Sequence, residues 1–216
     1  MEIVLFTYNR PHWKTERFIC EMCRRGFRPS LVAAAPWKTL NIQKSAVISV
    51  KHLPQHPAIL CRDFDICYKI IPHDEVDGGT LGVIGGARIL PKKLIDRFEK
   101  GILNIHPGCL KRNRGLSNIT RALRDGIPQK VSAHLINEKI DAGYLIHERE
   151  VPVASDDTIF DLSEKMMDSQ VLALGSAVHA VLFGYKGTPI DETQGYEPQL
   201  TMDEEWRIVR QWEMRS

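Results

Sequence analysis

Residues 101–115, GILNIHPGCLKRNRG, run an apolar strand into a polar turn and set Asn104 and His106 two positions apart at its end. A carboxamide and an imidazolium are both N–H donors, and such donors can stabilise a developing negative oxygen. Asp141 stands 35 positions beyond His106 in a D-A-G triplet, and a carboxylate beside such donors can take a proton. Gly85 and Gly86 follow another apolar run, where they let the backbone bend and approach a ligand closely. Taken singly, each has a plainer reading: a histidine at a strand end as a satisfied structural group, a D-x-G as a turn. The run KRNR, 111–114, places three cations in four residues. It reads as a solvated loop or, beside a ligand, as an attractor of anions.

A second motif, CEMC at 20–23, has C-x-x-C spacing. A redox pair sits at a helix N-terminus, where the dipole lowers the thiol pKa. This one falls midway along TERFICEMCRRGF, which reads as one helix. Cys61 and Cys67 make a poor second pair for zinc. Ordinary helix residues are therefore the reading, with redox pairing and zinc binding as alternatives, and no metal site is expected. HLPQH, 52–56, reads as a loop rather than a ligand pair.

Bringing such groups together requires several strand ends at one rim. Apolar runs alternate with helical patterns, the signature of a parallel α/β sheet. Strands are predicted near 2–7, 30–35, 45–50, 67–71, 80–85 and 101–105, and helices near 14–25, 57–64, 91–100 and 117–125. KVSAHLINEKIDAGYLIHEREVPV reads as two strands around a polar turn. The stretch from 155 to 184 reads as a long helix capped by Ser155 or Asp156 and ended by Gly184. In an open sheet ligands gather beyond the carboxyl ends of the strands, where segments 85–90, 104–108 and 136–143 should meet. Pro107 sets a sharp exit that leaves His106 at the rim rather than inside.

The expected fold is thus α/β: a Rossmann-like, open, mostly parallel twisted sheet with helices on both faces, plus a short C-terminal accessory segment. Residues 1–184 form the catalytic domain in this reading and 185–216 the accessory segment. The latter is turn-rich and ends in a short helix begun by Thr201. Trp206, Val209 and Trp212 recur there at three-residue steps. Two tryptophans on one face call for packing against the main domain or a second subunit, and a homodimer is expected.

The bulk composition narrows the function classes. Lys and Arg number 29 against 27 Asp and Glu, a net charge of +2 that argues against a nucleic-acid partner. No run of about 18 apolar residues is present, so no membrane span is expected. The start, MEIVLFTYNRPH, lacks the basic region and cleavage site of a signal peptide and reads as a first strand. A cytoplasmic protein is expected. Five cysteines, an odd number in a chain with a large core, do not suggest a disulfide framework.

Across roughly 80–183, the motifs GVIGGARILPKKLID, GILNIHPGCLKRNRG and VSAHLINEKIDAGYLI occur in an order and spacing that resemble the folate-dependent formyltransferases. These enzymes move a formyl group from 10-formyltetrahydrofolate to an amine. Asn104 and His106 match the family's N-x-H and Asp141 its D-x-G aspartate. The resemblance implies that Asn104 and His106 stabilise the tetrahedral oxyanion and that Asp141 takes the amine's proton and holds His106 charged. It implies a pterin pocket formed by Arg88, Ile89 and Leu90 with Ile136, Asn137, Glu138 and Ile140. Ile89 and Leu90 by themselves would read as core filling. KRNR departs from the family, where a proline usually stands in place of Lys111.

The amine is approached by elimination. The residues after 184 are too few for the barrel that methionyl-tRNA formyltransferases add. TYNRPHW, 7–13, holds no glycine where glycinamide ribonucleotide formyltransferases cradle a phosphate. Formyltetrahydrofolate hydrolases carry an N-terminal regulatory domain, and here the first strand begins at residue 2. The remaining group formylates the amine of a nucleotide-linked amino sugar. In that reading Asn9, Arg10, Lys38 and Trp13 or Trp37 are candidates for gripping nucleotide or pyrophosphate, and ordinary surface residues otherwise. Glycinamide ribonucleotide or another small amine, and a non-catalytic folate-binding protein, are the alternatives.

Overall fold

The computed structural model describes residues 1–37, 45, 53–190 and 195–215. Its centre is an eight-stranded sheet in the order β3-β2-β1-β4-β5-β6-β7-β8. Strands β1 (Ile3–Tyr8), β2 (Leu31–Ala35), β3 (Cys67–Ile70), β4 (Leu81–Ile84) and β5 (Ile102–His106) run parallel. Strands β6 (Lys130–Leu135), β7 (Tyr144–Glu150) and β8 (Thr188–Pro189) add antiparallel pairs. The sequence β1-IVLFTY is apolar without alternation because both faces of this central strand are covered. On one face Leu5, Val83, Leu103 and Ile105 pack with residues of α1 (Trp13–Arg24) and α5 (Ile159–Leu182). On the other, Val4, Phe6 and Ile102 pack with Leu90, Leu94 and Phe98 around α3 (Lys92–Ile95). The expected open, mostly parallel sheet with helices on both faces is the fold observed.

Several elements differ from their expected extents. The helix read over 91–100 is only the single turn α3. Glu99 and Lys100 donate to the carbonyls of Gly79 and Thr80, and these bonds, which lead into the β4–β5 pairing, pull the chain out of the helix. The long helix starts later than Ser155 or Asp156. Thr158 is its N-cap, in a reciprocal capping box with Asp161. The strand read over 45–50 lies outside the described residues save Ser45, as does His52. His56 caps α2 (Pro57–Asp63), accepting from the Ala58 N–H at 3.2 Å.

The residues after 184 pack onto the same body. β8 joins the sheet beside β7, and α6 (Met202–Glu213) packs against α4 (Asn118–Asp125). The two tryptophans of α6 do not share its packed face. At about 100° per residue, positions 206 and 212 point roughly 120° apart. The buried stripe instead follows Glu205, Ile208 and Val209, with Trp212 partly covered and Trp206 37% exposed. The C-x-x-C cysteines lie within α1, Cys20 exposed and Cys23 partly buried, both with free thiols that burial pushes upward in pKa. No described helix is long and apolar enough to cross a membrane.

Candidate active site

The strand order reverses between β1 and β4, which opens a crevice at the carboxyl ends of the parallel strands. β5 delivers Asn104 and His106 to this end. Residues i and i+2 share one face of a strand, so both side chains project to the same side. His106 is not at an open rim: it is 4% exposed, because the chain after Pro107 folds back over its ring. Gly108 makes that return possible. A Cβ there would stand 2.9 Å from both His106 Nε2 and the Asn113 carbonyl.

Hydrogen bonds fix the ring. His106 Nε2 donates to the Asn113 carbonyl at 3.1 Å, since a carbonyl can only accept. Nδ1 lies 3.4 Å from Asp141 Oδ1. An imidazolium at this position therefore has an acceptor for each N–H. Asp141 Oδ2 also accepts the Gly115 N–H at 2.9 Å. Burial alone would push the Asp141 carboxyl upward, but His106 and the Gly115 N–H outweigh it and hold the group below its ordinary value. Asp141 is thus an anion at neutral pH.

Asn104 is oriented by a residue absent from the sequence-based set. His134, on β6 directly opposite in the register, donates from Nδ1 to the Ala142 carbonyl at 3.0 Å. Burial, with the nearby His106 charge, lowers its pKa to about 4, so the ring is neutral. Its Nε2 is then an acceptor, and Asn104 Nδ2 donates to it at 3.2 Å. One amide hydrogen is committed there, leaving the other for a ligand.

Asn104 and Asp141 line one cleft of about 180 Å³, walled on one side by Arg88, Ile89 and Leu90 and on the other by residues 136–140. All seven residues assigned to a pterin pocket thus line the same cleft as two of the three candidate catalytic residues. Ile89 is 72% exposed at its lip, whereas Leu90 is 5% exposed and doubles as core. A second cavity, of about 310 Å³, shares the 88–90 wall and is lined by Tyr8, Trp37, His73 and Asp74. Arg10 lies 4.3 Å over the Trp37 ring beside it. Asn9 is occupied elsewhere, accepting from the Tyr68 hydroxyl at 2.8 Å. Trp13 opens α1, half-buried, and Lys38 lies outside the described residues.

The cation run divides. Lys111 and Arg112 are exposed, but Asn113 and Arg114 are buried, and Arg114 Nη2 donates to the Ile140 carbonyl at 2.6 Å. KRNR is therefore half solvated loop and half scaffold for the Asp141 turn. Lys14 was also missed. Its Nζ donates to the Ile105 carbonyl, between Asn104 and His106, at 2.7 Å, and burial lowers its pKa to about 8 against the pull of Asp141. No spacing rule marks Lys14 or His134 in sequence; strand register brings His134 here, and the packing of α1 on the sheet brings Lys14.

Residues 81–178 match the formyl transferase family. The chain is 30% identical over 103 residues to methionyl-tRNA formyltransferase from Fusobacterium nucleatum, covering 47% of this chain and 33% of that protein. The chain thus spans about a third of that relative's length. Among solved structures, an N-formyltransferase from Helicobacter canadensis in complex with folinic acid and dTDP-3-aminofucose superposes with a TM-score of 0.66 at 14% identity, over 92% of this chain and 71% of that one. Phosphoribosylglycinamide formyltransferase from Anaplasma phagocytophilum superposes with a TM-score of 0.62 at 17% identity, over 92% and 98%. These likenesses establish a shared fold.

Proposed function

We propose that the chain is an N-formyltransferase that carries the formyl group of 10-formyltetrahydrofolate to the primary amine of a nucleotide-linked amino sugar. The observation that carries this reading is the single cleft in which Asn104 and Asp141 face the expected pterin walls. Ile89, Ile136 and Ile140 offer apolar surface to a flat heterocycle, while loop amides offer donors and acceptors at its edge. The amine nitrogen attacks the formyl carbon, and the carbonyl electron pair moves onto oxygen. The free N–H of Asn104 stabilises that oxygen, and the His106 charge supports it from behind Asp141. Asp141 accepts the ammonium proton, directly or through water. The carbon–N10 bond then breaks, and the proton passes to N10, giving formamide and tetrahydrofolate.

A nucleotide-linked substrate is supported by the aromatic cavity of Tyr8, Trp37 and His73, with Arg10 and Arg88 at hand for a pyrophosphate. In this reading residues 1–184 are the catalytic unit and 185–216 an accessory segment. The test is incubation with 10-formyltetrahydrofolate and a panel of nucleotide-linked amino sugars, with glycinamide ribonucleotide alongside, following tetrahydrofolate release. Release with one amino sugar is expected. Release with glycinamide ribonucleotide alone would replace the substrate assignment, and release with no amine would remove the transferase reading.

A further inference from the structure

Glu205 lies on α6, far along the chain from the β5 site, yet its side chain is 1% exposed. Taking a carboxylate out of water costs several kcal/mol unless its oxygens are hydrogen-bonded. Here they are: Oε2 accepts from Ser45 Oγ at 2.7 Å and Oε1 from Ser117 Oγ at 2.7 Å, with Thr120 Oγ1 at 3.5 Å. Apolar Ile208 and Val209 would dock the helix without that cost. What the carboxylate adds is a grip on Ser117.

Ser117 has φ 55° and ψ 34°, a left-handed conformation uncommon for a residue with a Cβ. It turns the chain so that Asn118 opens α4 pointing back at the site. Asn118 Nδ2 donates to the Asn113 carbonyl at 2.9 Å, the carbonyl that also accepts from His106. The grip therefore ends on the acceptor that orients the His106 ring.

The same C-terminal segment holds the other partner. Leu116 N–H donates to the Glu197 carbonyl at 3.0 Å and Glu197 N–H to the Arg114 carbonyl at 3.3 Å. This bridge brackets Gly115, whose N–H binds Asp141, and whose φ of +98° leaves no room for a Cβ against Glu197. Arg121, 5% exposed, fastens the junction to the Glu197 carboxylate at 2.9 Å and to the Pro198 carbonyl.

We infer that Glu205 is a positioning residue, through which α6 holds the His106 ring in register, while Glu197 of the same segment braces the Gly115 turn that binds Asp141. The inference rests on the proposed formyl transfer for its activity readout, but not for its spectroscopic one. The test uses the full chain with Glu205→Ala, Glu205→Gln and Ser117→Ala. Glu205→Ala should lower kcat by about 10- to 100-fold, the scale for misplacing a reacting group from a distance, while the KM for folate stays within about twofold. Glu205→Gln keeps an acceptor for Ser117 and should recover most of the loss. The imidazole nitrogen NMR signals of His106, identified by their disappearance in His106→Asn, should be displaced in Glu205→Ala and restored in Glu205→Gln. Should Glu205→Ala not fold, Ser117→Ala severs the same link with the carboxylate retained, together with the hydroxyl's bond from the Leu200 N–H, and should displace the same signals. A wild type that transfers no formyl group defeats the functional reading, while the His106 signals still decide the positioning. Unmoved His106 signals, or unmoved kcat in an active enzyme, would overturn the inference.

Discussion

At the scale of single residues, the site depends on groups that fix other groups. His134 commits one hydrogen of Asn104 and thereby aims the second. His134→Phe keeps bulk but removes that acceptor and strands the Ala142 carbonyl. Turnover should drop by about tenfold or more, with stability lower by about 1–3 kcal/mol for the unpaired carbonyl; steady-state kinetics and thermal unfolding check the two. Gly108→Ala should be severe for turnover too, because its Cβ meets His106 Nε2 and the Asn113 carbonyl at 2.9 Å. Unaltered turnover in Gly108→Ala would show that the His106 ring position is not critical. Asn104, His106 and Asp141 were legible because their types and order form a motif. His134 and Lys14 were not, since a histidine in VSAHL and a lysine in a first helical turn look like ordinary core and surface residues. The N-x-H spacing also says nothing of burial, which is why His106 was expected at the rim.

At the scale of elements, the parallel strands were the most legible feature. Uninterrupted apolar runs such as IVLFTY and GILNI occur where helices cover both faces. Helix ends were less so. Long-range pairing of 99–100 with 79–80 truncates α3, and Thr158 with Asp161 outcompetes the earlier Ser155 and Asp156 as a cap. Thr158→Ala should cost about 1 kcal/mol, measurable by denaturant unfolding, whereas Ser155→Ala should cost little. The threefold recurrence of Trp206, Val209 and Trp212 misled because a three-residue step drifts around a helix, and the packed stripe belongs to Glu205, Ile208 and Val209.

At the scale of the whole molecule, neutral histidines in buried or half-buried positions set the response to acid. His12 and His134 are each lowered from 6.5 to about 4, His12 by burial with Lys14 and Arg10 nearby. The unfolded chain binds those protons as pH falls below about 6.5, and the folded chain resists until about 4, so stability declines across that window. Asp141 adds a later loss: its folded pKa lies below 3.8, so its contribution is full above that value and disappears as pH falls further. Melting temperature should therefore fall steeply between about pH 6.5 and 4, and less so in His134→Phe; a flat profile would count against neutral burial of these rings. We propose a homodimer, supported by the exposed Trp206 and by Phe183 at 76% exposure. Sedimentation as a monomer at tens of micromolar would exclude it.

The central claim is that Asp141 takes the amine's proton beside His106, and Asp141→Asn tests it most directly. The substitution keeps shape and removes the anion. With 10-formyltetrahydrofolate and the best amine of the panel, tetrahydrofolate release should fall by at least about 100-fold, the usual scale for losing a positioned base. Affinity for a 5-formyl folate analogue, measured by calorimetry, should change little. Near wild-type release by Asp141→Asn would contradict the account, even if the folate still bound.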